Sequence, residues 1–176
     1  CVDERCIEGP PAFSHTYPAG LAYSTAGDMR RFFLAVLHPE GPEARAALST
    51  DLVSLMQAEQ FTHDATLDGM GYGFWRHRWR TGDLLLGHAG NVPGFVTLVQ
   101  LAPDHRLGFV LATNGNSSAF PRLVAEALLE VLLPGAPLPG PDRTVAADDL
   151  ERFAGTYRLT RTGRRNIETF PTLFQN

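Results

Sequence analysis

YGFWRHRWRTGDLLLGHAGNVPGFVTLVQLAPDHRLGFVLATN, residues 72–114, is the stretch that decides the fold. Phe74, Arg76 and Arg78 alternate in it with Trp75, His77 and Trp79. A period of two is the mark of a half-buried strand. Thr81-Gly82-Asp83 reads as a hairpin turn and Leu84 to His88 as the returning strand. Asn91-Val92-Pro93-Gly94 is the next turn signal. FVTLVQLAP, residues 95–103, is a third strand, and LGFVLATN, residues 107–114, is a fourth. An Asp104-His105-Arg106 turn joins these last two. Four strands in series on short turns argue antiparallel pairing, because parallel neighbours need a crossover of a dozen or more residues.

Outward from this meander the pattern turns helical. STAGDMRRFFLAVLHP, residues 24–39, carries Met29, Phe32, Phe33, Val36 and Leu37 at helical spacing. Thr25 and Asp28 stand as a capping box with Asp in place of Glu or Gln. A second helix is expected from Glu43 to Gln57 and a third from Ser118 to Leu133. Residues 8–23 read as loop, with three prolines and two glycines. PGAPLPGP, residues 134–141, is a linker by composition. FAGTYRLTR, residues 153–161, reads as a short strand. Helices, then an antiparallel meander, then a helix make an α+β layout. The expected organisation is one domain portion over 1–133, a Pro/Gly-rich linker over 134–147 and the start of a further element over 148–176.

Composition excludes several classes. Apolar residues are 44% of the chain, enough for a core, and a net charge of −4 leaves no basic footprint for nucleic acid. No apolar run reaches the roughly 20 residues of a membrane span. Cys1 and Cys6 have no metal-ligating partners at useful spacing, and the six histidines show no ligand spacing. Neither a metal nor a cofactor is expected. All 15 basic residues are arginine, and the chain contains no lysine.

His88 is the first candidate for chemistry. It lies at a strand end between Gly87 and Gly90, where backbone without side chains lets a ligand approach closely. Amides at such an edge suit an anionic oxygen, the arrangement that acyl transfer uses. A competing signal is Gly115-Asn116-Ser117-Ser118-Ala119, close to a nucleophile elbow. That elbow belongs to a parallel sheet and needs a histidine after the serine, whereas the last histidine here is His105. Ser117 or Ser118 is therefore read as a helix cap. Trp75 and Trp79 share a strand face and are read as sheet packing.

Three segments together resemble the C-terminal part of the serine β-lactamase and penicillin-binding-protein family, in its class C and esterase-like branch. PAGLAYSTAGDMRRFFLAVL, residues 18–37, is similar to the family's PAGGL-STA-DMARFL segment. Residues 72–114 resemble its YG-GW, GH-GG-PGF and VV-TN segments. LERFAGTYRLTR, residues 150–161, resembles the short element that often follows the catalytic domain. The resemblance implies a β-lactamase/transpeptidase-like fold and acyl transfer through a Ser ester, on a β-lactam, a D-Ala peptide or a small ester. It places His88-Ala89-Gly90 at the third active-site motif. His88 and Gly90 then belong to the catalytic edge, the Asn91 N–H is an oxyanion donor, and Tyr23 and Ala89 contact substrate.

The family's Ser-x-x-Lys is absent, since no lysine is present, and so are Tyr-x-Asn and Ser-x-Asn. The expectation is the back half of an enzyme domain, inactive alone, whose partners are a small-molecule or peptidoglycan-peptide substrate and the missing N-terminal half. The alternative is a non-catalytic module for ligand or partner binding. Localisation stays open, with export only the family's habit.

Overall fold

The computed structural model describes residues 20, 22–42, 44, 48–139 and 150–156. It forms two compact units, Cys1–Leu138 and Pro139–Asn176. The first unit holds helices α1 (Ala26–Leu37), α2 (Thr50–Gln57) and α3 (Ala119–Leu132). Its strands are β1 (Gly69–Met70), β2 (Trp75–Arg78), β3 (Leu84–Val92), β4 (Phe95–Ala102) and β5 (Leu107–Thr113). They form one antiparallel sheet in the order β1-β2-β3-β4-β5. The fold class is α+β, as the alternation and the short turns require.

The sheet is covered on both faces. Leu86 and Leu101 join Phe33, Val36 and Leu37 of α1, Val53 of α2 and Phe74 in one core. Leu85 and Ala102 join Leu129 and Leu133, at the end of α3, in the other. Leu85 and Leu86 are adjacent and both wholly buried, which a strand achieves only with cover on its two faces.

Local chemistry sets the helix ends. The Asp28 N–H donates to Thr25 Oγ1 at 3.1 Å, while the Thr25 hydroxyl donates to the Asp28 carboxylate at 2.8 Å. Aspartate is one methylene shorter than glutamate, and it takes the hydroxyl instead of the backbone N–H that a full capping box would use. The second expected helix is interrupted at Leu48 and Ser49. Ser49 caps its later part by accepting from the Leu52 N–H at 3.2 Å, so α2 starts at Thr50. Before it, Pro42 and Ala44 are helical, and residues 43 and 45–47 lie outside the described residues. The last carbonyls of α1 and α2 find partners across the fold. Gln57 Nε2 donates to Val36 O at 2.8 Å, Tyr72 N–H to Met56 O at 3.1 Å, and the Arg76 guanidinium to Gln57 O. These bonds hold both helices against β2.

Two expectations need correction. A fifth strand, β1, pairs with β2 through Gly69↔Arg76 and Met70↔Trp75; two residues are too few to show a period. The described start of the Pro-rich stretch, residues 134–139, is exposed and is tied back by the Leu138 N–H, which donates to Arg80 O at 2.7 Å. The strand expected over 153–161 starts as a turn, with Phe153 N–H bonded to Leu150 O, and residues 157–161 lie outside the described residues. Cys1 and Cys6 lie outside them as well.

Burial holds the His77 imidazole below its ordinary value, against a smaller opposing pull from Asp68. The unfolded chain therefore takes up the proton first as pH falls through about 6.5. Stability that His77 leaves intact at neutral pH is lost on acidification. Urea midpoints measured between neutral and mildly acidic pH should fall for the wild type and fall less steeply for His77→Gln.

Candidate active site at the open edge of β3

β3 is nine residues long and β2 only four. Pairing between them runs from Arg78↔Leu84 to Trp75↔Gly87 and stops there. On its other side β3 stays paired with β4 up to Val92↔Phe95. Among the described residues, 88–92 therefore have a strand on one side only. His88, Gly90 and Asn91 are exposed and Ala89 is half-buried.

The hydrogen-bond phase says which groups face the open side. Trp79 N–H donates to Asp83 O at 2.9 Å, which makes 79/83 a hydrogen-bonded rung of the β2–β3 ladder. Such rungs alternate with open ones. Leu85 and Gly87 thus turn their N–H and C=O toward β2, and Leu86, His88 and Gly90 turn theirs toward β4. Continued by two and four residues, the same phase directs the amides of Ala89 and Asn91 into the open edge. The other edge of the sheet follows likewise: Gly108, Val110 and Ala112 of β5 present their backbone groups outward.

The two glycines differ. Gly90 is exposed, and a Cβ there would lie 2.8 Å from Thr97 Oγ1. Gly87 is buried, and its Cβ would meet Val99 O at 3.1 Å and Gln100 Oε1 at 3.2 Å. Only Gly90 bares backbone to a ligand; Gly87 is small because its neighbours on β4 are close.

The hairpin beyond the edge is tighter than the sequence suggests. Asn91 and Val92 are strand residues, so the turn is Pro93-Gly94 alone. Gly94 has φ of 84°, which suits the third position of a type II turn with proline before it. The Gly94 N–H donates to Asn116 Oδ1 at 2.7 Å. Asn116 thus ties the tip of β3–β4 to the loop that leads into α3. No local pattern signals this role, because Asn116 meets Gly94 across 22 positions of chain. Ser118 is the residue before α3, but its side chain makes no capping bond and its backbone is already helical, at φ −75° and ψ −14°. The antiparallel sheet also removes the setting that a nucleophile elbow at Ser117 would need.

The Trp75 indole stacks on the His88 ring, with centroids 5.5 Å apart and planes 22° from parallel. Trp79 instead packs in the α3-side core under the Arg80 guanidinium. Tyr23 is 81% exposed, and no ring contact joins it to His88 among the described residues. The described residues hold no cluster of three metal-ligating side chains. The surface hollow at the end of α1, lined by His38, Glu40 and Arg106, shares no residue with the β3 edge.

Comparison with known proteins agrees with this architecture. The family model described as Beta-lactamase matches residues 3–133, and the chain belongs to that family. The octameric penicillin-binding protein homologue from Pyrococcus abyssi is similar in structure, with 22% identity and a TM-score of 0.52. The match covers 65% of this chain and 25% of that one, so the chain spans about a quarter of its length. The penicillin binding protein from Bacillus halodurans matches at 21% identity and a TM-score of 0.45, over 60% of this chain and 30% of that one. SurE with D-Leu matches at 29% identity and a TM-score of 0.48, over 71% and 30%. No curated protein sequence matches.

Asn116→Ala should free the Gly94 amide. The expected cost is about 0.5–1.5 kcal/mol in urea unfolding, with faster hydrogen exchange at Gly94 than at the mid-strand amide of Leu98.

Proposed function

We propose that this chain supplies the oxyanion edge of a serine acyl hydrolase of the beta-lactamase family. The observation that carries the reading is the open side of β3 at residues 88–92, into which the Ala89 and Asn91 amides are directed. A carbonyl group laid along that edge receives the Asn91 N–H at its oxygen. Negative charge grows on that oxygen as a serine adds to the carbonyl carbon, so a fixed donor is worth more in the transition state than before it. Gly90 keeps side-chain bulk away from the acyl group, and Ala89 meets the substrate backbone. His88 stands beside the reacting carbonyl, in the place of the lysine of the family's Lys-Thr-Gly motif, and biases the local field.

Nucleophilic attack needs an activated serine. The family's Ser-x-x-Lys is not in this sequence, which has no lysine. The reading therefore assigns the nucleophile to a segment preceding these residues in the complete reading frame. β-Lactams, D-Ala peptides and small esters all present the required carbonyl. The missing lysine also favours a second reading, in which the same edge binds a ligand without turning it over.

By itself the chain should leave nitrocefin and p-nitrophenyl acetate unhydrolysed. Turnover abolished by Ser117→Ala but not by His88→Ala would overturn the assignment. In amide NMR spectra, benzylpenicillin or N-acetyl-D-alanyl-D-alanine should move Ala89 and Asn91 and leave Gly108, Val110 and Ala112 of the opposite edge in place. Where the complete frame carries Ser-x-x-Lys, His88→Ala should lower kcat/KM by about 10²-fold or more. If that frame lacks the motif, the binding reading takes its place.

A further inference from the structure

We infer that Trp75 is a positioning residue that holds the His88 ring in the orientation the acyl-transfer edge requires; this rests on the function proposed above. A histidine that acts on a substrate is usually oriented through one ring nitrogen, which bonds a carbonyl or a carboxylate. His88 has no such orienter: neither of its ring nitrogens makes a hydrogen bond among the described residues. In contrast, His105 Nε2 is bonded to Asp83 at 2.8 Å. The described restraint on His88 is the indole face of Trp75, near-parallel at 5.5 Å.

The position of Trp75 follows from the ladder. Trp75 is the last β2 residue paired with β3, opposite Gly87, so nothing larger than hydrogen faces it across that rung. Strict alternation would send the side chains of Trp75 and His88 to opposite faces of the sheet. The two rings meet where β2 has ended and β3 is open. The Met70↔Trp75 rung with β1 fixes the Trp75 backbone from its other side. A half-buried indole held at both rungs is a firmer wall than the exposed imidazole it supports. Stacking covers one face of the imidazole and leaves its nitrogen-bearing edge free for substrate. An exposed histidine without that wall would spread over several side-chain rotamers. Aromatic pairing of this kind is worth about two- to twelvefold in an equilibrium.

The test uses the chain itself. In the wild type, ring-current shielding should place the His88 ring protons upfield of those of exposed His105, which has no ring contact among the described residues, and benzylpenicillin should move the Asn91 amide. Trp75→Leu should return the His88 ring protons to unshielded positions and weaken probe binding by about two- to twelvefold. The Trp79 indole N–H, then the last one in the chain, reports that the fold persists. Trp75→Phe, which keeps a ring, should retain part of the shielding and recover most of the affinity. Unshifted His88 resonances in Trp75→Leu, or affinity unchanged once the stack is lost, would overturn the positioning role and leave the β3 edge as the binding site. If Trp75→Leu does not fold, Trp75→Phe decides alone: no shielding in wild type or variant overturns the role. Failure of the wild type to bind either benzylpenicillin or N-acetyl-D-alanyl-D-alanine at Asn91 overturns the functional reading, and the inference with it.

Discussion

Leu85 and Leu86 are consecutive, and neither is reached by solvent. One packs toward α3 and the other toward α1 and α2. Burying each contributes about 1.5–3 kcal/mol, so the strand has little freedom to slide. A slip of one residue would exchange the two cores and bring glycine and histidine positions into them. The same slip would turn the Asn91 amide from the open side toward β4. The packing that fixes the register thus also fixes which backbone groups are available for chemistry.

The proposed site rests on a mismatch of strand lengths rather than on a cavity. β2 begins only at Trp75, opposite Gly87, while β3 continues for five residues beyond that rung. Unpaired strand edges invite pairing with other chains, and proteins keep them short. Here the open stretch is short, interrupted by Gly90 and closed by the Pro93-Gly94 turn. The Asn116 bond to Gly94 steadies that turn from outside the sheet. An edge anchored at one end by Leu86 and at the other by Asn116 can present donors at fixed positions, as electrostatic stabilisation of an oxyanion demands.

Two helices brace the other end of the same arrangement. Gln57 bonds the last turn of α1, and Arg76 of β2 bonds Gln57 in turn. Neither contact is visible as a pattern, because each joins residues about twenty positions apart by one long polar side chain. These two bonds tie the α1–α2 pair to β2 at Arg76, the residue next to Trp75.

The sequence alone determined the antiparallel meander, the three helices and their approximate ends, and the family to which residues 3–133 belong. Periods of two and of 3.6 residues are local, and turn residues punctuate them, so these features survive reading in one dimension. It also singled out His88, Ala89, Gly90 and Asn91, through an unusual bracket of glycines and a resemblance in motif order. The break at Ser49 within the second expected helix was not legible, since the apolar pattern runs on through it. Nor was the two-residue β1, which shows no period. Tertiary structure alone decided that β2 pairs no further than Trp75↔Gly87, that Gly87 is buried and Gly90 exposed, that Asn116 anchors the hairpin, and that an indole stands against His88. Each of these depends on which residues lie across a ladder from one another, and register is a property of two strands together rather than of either sequence.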